Sequence, residues 1–118
     1  MRRTGAAFEQ RAGVELERAG LKPLARNYTT RHGEIDLVMQ DRDTVVFVEV
    51  RYRERAGHGD ALASVTRSKQ DKLIRTAQLW LAAHPQHAQR PCRFDVVSYD
   101  GPAADARMQW LRGAFEAG

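Results

Sequence analysis

Cysteine is almost absent from the chain, which contains only Cys92 among its 118 residues. A single thiol cannot close an internal disulfide, and no group of cysteines suggests a zinc site. Both absences fit a reducing compartment, so we expect a cytoplasmic protein.

Long apolar runs are also absent. No stretch approaches the roughly 20 residues that span a bilayer as a helix. Arg2 and Arg3 are not followed by an apolar segment, so no signal peptide is expected. With 42% hydrophobic and 29% charged residues, the composition is typical of a globular protein. We expect residues 1–118 to form one domain that has no membrane partner.

The net charge of +4 is unevenly distributed along the chain. Residues 1–31 carry seven basic and three acidic side chains, and residues 51–118 carry eleven and seven. Residues 32–50 carry five acids and one arginine. Basic flanks attract a polyanion, whereas an acidic island repels it unless a cation is bound there. The alternative is a chance cluster of acids on a solvated surface.

The acidic island coincides with two predicted strands. Gly33–Met39 and Val45–Arg53 are rich in β-branched and apolar residues, and the polar segment 41–44 separates them. Both strands are apolar enough to be buried, yet the first carries Asp36 and the second carries Glu49. A lone buried carboxylate costs several kcal/mol unless a partner or a metal compensates it.

The register of this hairpin decides whether the two acids meet. If Gln40 pairs with Val45, then Asp36 lies opposite Glu49, where like charges destabilise the sheet and a divalent cation would stabilise it. A slip by one residue would put the two carboxylates on opposite faces. Strict alternation gives these sets of side chains on a common face: Glu34, Asp36 and Val38; Phe47, Glu49 and Arg51; Val46, Val48 and Val50.

Two helices are predicted on either side of this hairpin. The first covers residues 4–20, with Thr4 as its N-cap and Gly20 at its end. The second begins at Thr66 or Ser68, the latter through a capping-box spacing to Asp71. The residues expected to be buried are Phe8, Ala12, Leu16 and Ala19 in the first helix, and Leu73, Ala77, Trp80 and Leu81 in the second.

The remaining segments complete an α/β pattern. Residues 21–30 and 93–99 are predicted strands, the first at a sheet edge because of Pro23. Residues 53–65 are a predicted loop, in which His58 is more readily a solvent-exposed residue than a metal ligand. The tail is either a helix or a short strand at 108–111 followed by a helical turn, and we favour the strand. A helix between strands predicts a mixed sheet with at least one parallel pair.

The order of these residues resembles a known family. Asp36 followed by Glu49-Val50-Arg51 resembles the signature of the PD-(D/E)XK nuclease-like fold. That signature alone is weak, but the ordered set of segments resembles the uncharacterised bacterial YraN-like family, which is related to archaeal Holliday junction resolvases. The matching segments span roughly residues 5–100: Gly5–Glu9, Arg26–Tyr28, Gly33–Leu37, Val46–Arg53, Ser64–Thr66 with Lys69, and Arg93–Val97.

The resemblance implies a restriction-endonuclease-like, three-layer α/β fold with a mixed central sheet flanked by helices. It also implies a metal-dependent endonuclease that hydrolyses phosphodiester bonds in DNA, including branched or structured DNA. The implied catalytic residues are Glu9, Asp36, Glu49 and Arg51, and the implied metal ligands are Asp36, Glu49 and the Val50 carbonyl. Oxygen ligands of this kind suit Mg²⁺ or Mn²⁺. Glu34 is either a further acid near the metal or a surface residue.

Arg51 departs from the signature, which has lysine at that position. Arginine can bind a phosphate through two parallel hydrogen bonds, but it stays protonated and cannot act as a general base. The alternative function is therefore a catalytically silent module that keeps the fold and binds nucleic acid or a protein partner. Lys69 would supply an amine if the second helix approached the site.

DNA is the expected partner, and a homodimer is a further expectation from the resolvase-like relatives. The basic residues expected to bind nucleic acid are Arg31, Arg53, Arg67, Lys69 and Lys72.

Overall fold

The computed structural model describes residues 3–55 and 61–117, which form two helices and five strands. The elements are α1 (Arg3–Arg18), β1 (Lys22–Thr30), β2 (Gly33–Asp41), β3 (Thr44–Arg53), α2 (Arg67–Ala83), β4 (Cys92–Asp100) and β5 (Arg107–Phe115). In this part of the chain, neither helix has the length and apolar character needed to cross a membrane.

The strands form one mixed sheet in the order β1-β2-β3-β4-β5. Only β3 and β4 are parallel, and α2 makes the crossover between them; the other neighbours are antiparallel. The helices cover opposite faces, each over its own apolar cluster. The predicted α/β class, mixed sheet and parallel pair are thus confirmed. β1 is an edge strand, as Pro23 indicated.

Helix α1 packs on the sheet through Phe8, Ala12 and Leu16, which are at most 3% exposed. Its C-terminus is closed by two hydrogen bonds, from the Gly20 N–H to the Glu17 carbonyl and from the Leu21 N–H to the Leu16 carbonyl. Gly20 has a φ of 103°, which glycine adopts without strain. The helix begins before the predicted cap at Thr4, which lies within it.

Helix α2 begins after Thr66, whose side chain accepts a hydrogen bond from the Lys69 N–H at 3.2 Å. Of the two starts considered, Thr66 is therefore correct and the capping box at Ser68 is wrong. The buried face of α2 consists of Leu73, Thr76, Ala77 and Trp80, largely as the helical spacing predicted, whereas Leu81 is only half-buried.

The β2–β3 register agrees with the prediction, since Gln40 pairs with Val45 and Val38 with Phe47. The ladder ends at Leu37 and Val48, one position before Asp36 and Glu49. On β3, alternation holds: Val46 and Val48 pack towards α1, and Val45 and Phe47 pack towards α2.

On β2, strict alternation breaks at Asp36. Ile35 packs with Val38 in the cluster under α2, although alternation would put it with Leu37 under α1. The β1–β2 ladder also skips Asn27 and Asp36, and Asn27 has a φ of 50°. Regular alternation along β2 is therefore interrupted between Ile35 and Leu37.

The tail forms a longer strand than predicted. β5 pairs antiparallel with β4 along most of its length, and the predicted helical turn after a short strand is wrong. The register shifts between Phe94 and Val96, and Gly113 has a φ of 58°. This irregularity obscured the strand period in the sequence. The apolar side chains of β5 divide between the two faces: Met108 and Trp110 towards α1, and Leu111, Ala114 and Phe115 towards α2.

The predicted loop after β3 is only partly a loop. Ala61 and Val65 are buried in the cluster under α2, and a 3₁₀ turn at Leu62–Ser64 joins them. His58 lies outside the described residues.

Asp95 joins β4 to β5 at the register shift. Its carboxylate is fully buried and accepts hydrogen bonds from Arg93 Nε at 3.0 Å, Trp110 Nε1 at 2.9 Å and the Gly113 N–H at 2.9 Å. Arg93 Nη1 also donates a hydrogen bond to Asp41 Oδ2 on β2, at 2.9 Å. Three strands are thus connected at the end of the sheet away from Asp36.

We expect Asp95→Asn to lower the free energy of unfolding by about 2–4 kcal/mol, because an amide nitrogen would face a buried donor and Arg93 would keep only Asp41 as a charged partner. Urea denaturation measures the change. Asp105→Asn, at an exposed position in the turn before β5, is the matched control and should shift stability by less than about 0.5 kcal/mol. Equal effects of the two substitutions would contradict the structural role of Asp95.

Candidate active site

An open cleft of about 480 Å³ lies between α1 and α2, where β2 begins and β3 nears its end. It contains the acids and several of the cations singled out in the sequence. The lining residues are Gly5 and Glu9 from α1; Gly33, Glu34 and Asp36 from β2; Glu49, Val50 and Arg51 from β3; and Lys69, Lys72 and Leu73 from α2.

Asp36 lies at the break in β2 and is 7% exposed. Its Oδ2 atom accepts a hydrogen bond from the Val50 N–H at 2.8 Å. This contact lies beyond the last β2–β3 pair, so the side chain takes over a position that a main-chain carbonyl would otherwise fill. The carboxylate is thereby fixed towards β3, next to Glu49.

Glu49 follows Phe47 on the α2 side of β3 and is 5% exposed. Its Oε2 atom lies 3.3 Å from Lys69 Nζ and 3.5 Å from Arg51 Nη1. Two cations from different elements thus converge on one carboxylate oxygen. The approach of α2 that the sequence left open brings Lys69 to the site.

The two carboxyl groups perturb each other. Burial raises the pKa of Asp36 from 3.8 to about 6, with the charges of Glu9 and Glu34 adding to the rise and the Val50 N–H opposing it. Burial, followed by the charge of Asp36, raises the pKa of Glu49 from 4.5 to about 7, while Lys69 and Arg51 oppose the rise. Two neighbouring buried carboxylates resist simultaneous ionisation near neutral pH. The observed pairing of Gln40 with Val45 and the position of both acids in one cleft exclude the slipped register, in which they would lie on opposite faces.

The donor set suits a small divalent cation. Among the described residues, no group of three or more His, Cys, Asp or Glu side chains is arranged to hold a metal ion. Half-buried Glu9 lines the cleft without completing such a group. Mg²⁺ is commonly held by one or two carboxylates and keeps several waters, which Asp36 and Glu49 can satisfy. A cation there would also offset the repulsion between them.

The five basic residues expected to bind nucleic acid fall in different places. Lys69 and Lys72 line the cleft, and Arg31 lines a neighbouring cavity together with Lys72. The Arg53 guanidinium lies beside Asp100, at 2.7 and 3.0 Å from its two oxygens, and is 15% exposed. Arg67 is exposed at the start of α2. The structure therefore brings together three of the five.

Gly33 lines the cleft, although the sequence analysis gave it no role in the site. Its φ is 148°, and a Cβ there would lie 3.5 Å from Thr76 Oγ1 and 3.6 Å from Lys72 Cβ. These would be ordinary contacts, so the space beside α2 would admit a Cβ, and it is the positive φ that favours glycine here. The available signal was a glycine placed immediately before an acid-bearing strand.

Comparison with known proteins identifies similar sequences of uncharacterised function. Residues 8–99 match the Uncharacterised protein family UPF0102. A UPF0102 protein of Stutzerimonas stutzeri (strain A1501) is 51% identical over 114 residues, which cover 97% of this chain and 95% of that protein. One from Xylella fastidiosa (strain 9a5c) is 54% identical over 114 residues, covering 97% and 93%. One from Pseudomonas entomophila (strain L48) is 51% identical over 113 residues, covering 95% and 92%.

The carboxyl pair should lower the stability of the metal-free protein as pH rises. Because the folded-state pKa values of Asp36 and Glu49 are raised, the folded protein binds more protons than the unfolded chain between pH 3.8 and about 7. Stability is lost across that interval. Asp36→Asn removes one charge and keeps an acceptor for the Val50 N–H. We expect it to be about 1–3 kcal/mol more stable than wild type at about pH 8 with a chelator present.

Urea denaturation across this pH range measures the effect. Asp43→Asn, at an exposed position in the β2–β3 turn, is the matched control and should leave the pH dependence unchanged. A lower stability of Asp36→Asn than of wild type under these conditions would contradict the prediction.

Proposed function

The chain belongs to the UPF0102 (YraN-like) family, whose members are described only as uncharacterised, and we propose that it is a metal-dependent endonuclease-like protein acting on DNA. The observation that carries this proposal is the pair of buried carboxylates, Asp36 and Glu49, in an open cleft with two cations on Glu49. Buried acids with raised pKa values in a cleft are typical of functional sites.

We further propose that the α/β fold is of the restriction-endonuclease type. A mixed sheet with a helix on each face supports this assignment. So does the position of the two acids, which lie on adjacent strands of one hairpin and point into a single cleft. The order of Asp36, Glu49 and the cation at position 51 agrees with the signature of that fold.

In this proposal, the side chains of Asp36 and Glu49 and the carbonyl of Val50 hold Mg²⁺ or Mn²⁺. When bound, such an ion polarises the scissile phosphate and lowers the pKa of a coordinated water. The Val50 N–H holds the Asp36 carboxylate in place. Glu9 and Glu34 add negative charge to the wall of the cleft and thereby favour cation binding.

Lys69 takes the role of the lysine that the signature places at position 51. Its ammonium group lies at the Glu49 oxygen, so a phosphate bound beside Glu49 would be within its reach. Arg51 contacts the same oxygen and stabilises negative charge without exchanging a proton. The two cations thus divide a function that one lysine performs in the signature.

The burial of the two acids favours a DNA substrate in which a strand can separate from its duplex. Asp36 and Glu49 are 7% and 5% exposed, so a phosphodiester must enter the cleft to reach them. A regular duplex is stiff, with a persistence length of about 150 base pairs, whereas an unpaired or branched segment bends readily and can enter such a recess. Branched or structured DNA is the substrate class that we propose.

A catalytically silent binding module is the second candidate. Arginine at position 51 favours it, and so does the absence of a three-acid metal group among residues 3–55 and 61–117. Such a module would bind DNA with a strong salt dependence and would be indifferent to Mg²⁺ or Mn²⁺.

The first test is cleavage of junction, flap and single-stranded DNA with Mg²⁺ or Mn²⁺. We expect the wild type to cut at least one of them, and Asp36→Asn and Glu49→Gln each to lose the activity by at least about a hundredfold, because each removes a proposed metal ligand. Asp43→Asn should cut at the wild-type rate. DNA binding without any activity that these substitutions remove would favour the silent module.

The second test separates the roles of the two cations. Lys69→Met should lower the cleavage rate by about 10²–10³-fold, the usual loss when one donor to developing charge is removed. Arg51→Lys keeps the charge and should change the rate by less than about tenfold. Arg75→Met, on the exposed side of α2, is the control. A large gain from Arg51→Lys with little loss from Lys69→Met would show that position 51 carries the function.

A further inference from the structure

A second depression continues from the cleft along the surface. This side groove has a volume of about 480 Å³ and is formed by the β1–β2 turn, residues 29–32, together with Gly33, Glu34 and Lys72. The last three residues also line the cleft. The two cavities are therefore adjacent, and together they mark a path along the surface.

The path is cationic along its α2 wall and at its far end. Lys69 and Lys72 are three positions apart on α2, so they are neighbours on one helix face, with Cβ atoms about 5–6 Å apart. Lys72 is exposed where the cleft meets the groove, and Arg31 is exposed in the turn beyond it. Starting from Glu49, the order of cations is thus Lys69, Lys72 and Arg31.

The turn that forms the groove is held by its own hydrogen bonds. The Thr30 hydroxyl accepts from the His32 N–H at 3.0 Å and lies 3.3 Å from the Gly33 carbonyl, to which it donates. The Thr29 hydroxyl donates to Glu34 at 3.1 Å. Glu34, the only acid among the described residues that line the groove, is therefore engaged by the turn, and the opposite wall presents Lys72.

We propose that a single-stranded segment of the DNA substrate leaves the cleft through the side groove, with Lys72 and then Arg31 binding successive phosphates beside the scissile one. A cationic groove that follows one backbone is how proteins bind unpaired strands. His32 also lines the groove, and an imidazole is a surface on which an unpaired base can stack. This inference rests on the proposed function and adds the direction of the strand.

Binding of labelled oligothymidylates to the full chain tests the path. The measurements use the Asp36→Asn protein with a chelator, so that neither cleavage nor metal affects the result. Fluorescence anisotropy compares Lys72→Ala and Arg31→Ala with Arg75→Ala, each at several salt concentrations. Arg75 is an exposed α2 cation that lines neither cavity. Thermal melting checks that each variant is folded.

With oligonucleotides of about 12 nucleotides, we expect Lys72→Ala and Arg31→Ala each to weaken binding roughly three- to tenfold and to reduce the salt slope by about 0.7, the value for one lost phosphate contact on a single strand. Arg75→Ala should change neither. With oligonucleotides of about three nucleotides, which end before the turn, only Lys72→Ala should have an effect.

If Lys72→Ala, Arg31→Ala and Arg75→Ala bind with equal affinities and equal salt slopes, the proposed route through the side groove is wrong. Cleavage of DNA by the wild type would still support the proposed function in that case. Tighter binding of an unbranched duplex than of a single strand would contradict the proposal that the groove holds single-stranded DNA. Failure of every oligonucleotide to bind would overturn the inference together with DNA as the substrate.

Discussion

The burial of two neighbouring carboxylates is the constraint on which the rest of the site depends. Asp36 and Glu49 are almost inaccessible to solvent, and burial and mutual repulsion both oppose their ionisation. The fold offsets this unfavourable contact locally, through the Val50 N–H on Asp36 and two cations on Glu49. Natural proteins keep arrangements of this kind where function requires them, because a stable sheet would otherwise place apolar residues there.

The parallel pairing of β3 and β4 explains how Lys69 reaches Glu49. Parallel neighbours require a crossover, and α2 provides it by packing across the face of the sheet that carries Phe47 and Glu49. The first turn of α2 thereby lies beside the last part of β3. On the other face, α1 contributes Glu9 to the cleft through the same packing that buries Phe8.

The sequence predicted the parts of this arrangement that depend on local patterns. The apolar periodicity and short turn of the β2–β3 hairpin led to the observed register as one of two alternatives, and the apolar spacing located both helices within a few residues. The break at Asp36 was missed because alternation assumes a regular strand. The length of β5 was missed because its strand period is interrupted at Gly113, where a long-range bond to Asp95 decides the backbone. Arg53 was assigned to DNA, yet it pairs with Asp100, 47 positions away, which no local pattern reveals.

Arginine at position 51 first suggested that the site had lost its function, and the geometry gives another interpretation. A catalytic cation has to be near the reacting atoms, and its position in the sequence does not matter if another element can supply it. Lys69 is as close to the Glu49 oxygen as Arg51 is, and it approaches from a different element. With lysine on α2, position 51 needs only a fixed positive charge that compensates Glu49, and arginine provides this more permanently than lysine because it does not deprotonate. On our proposal, Arg51 is thus a consequence of where Lys69 lies.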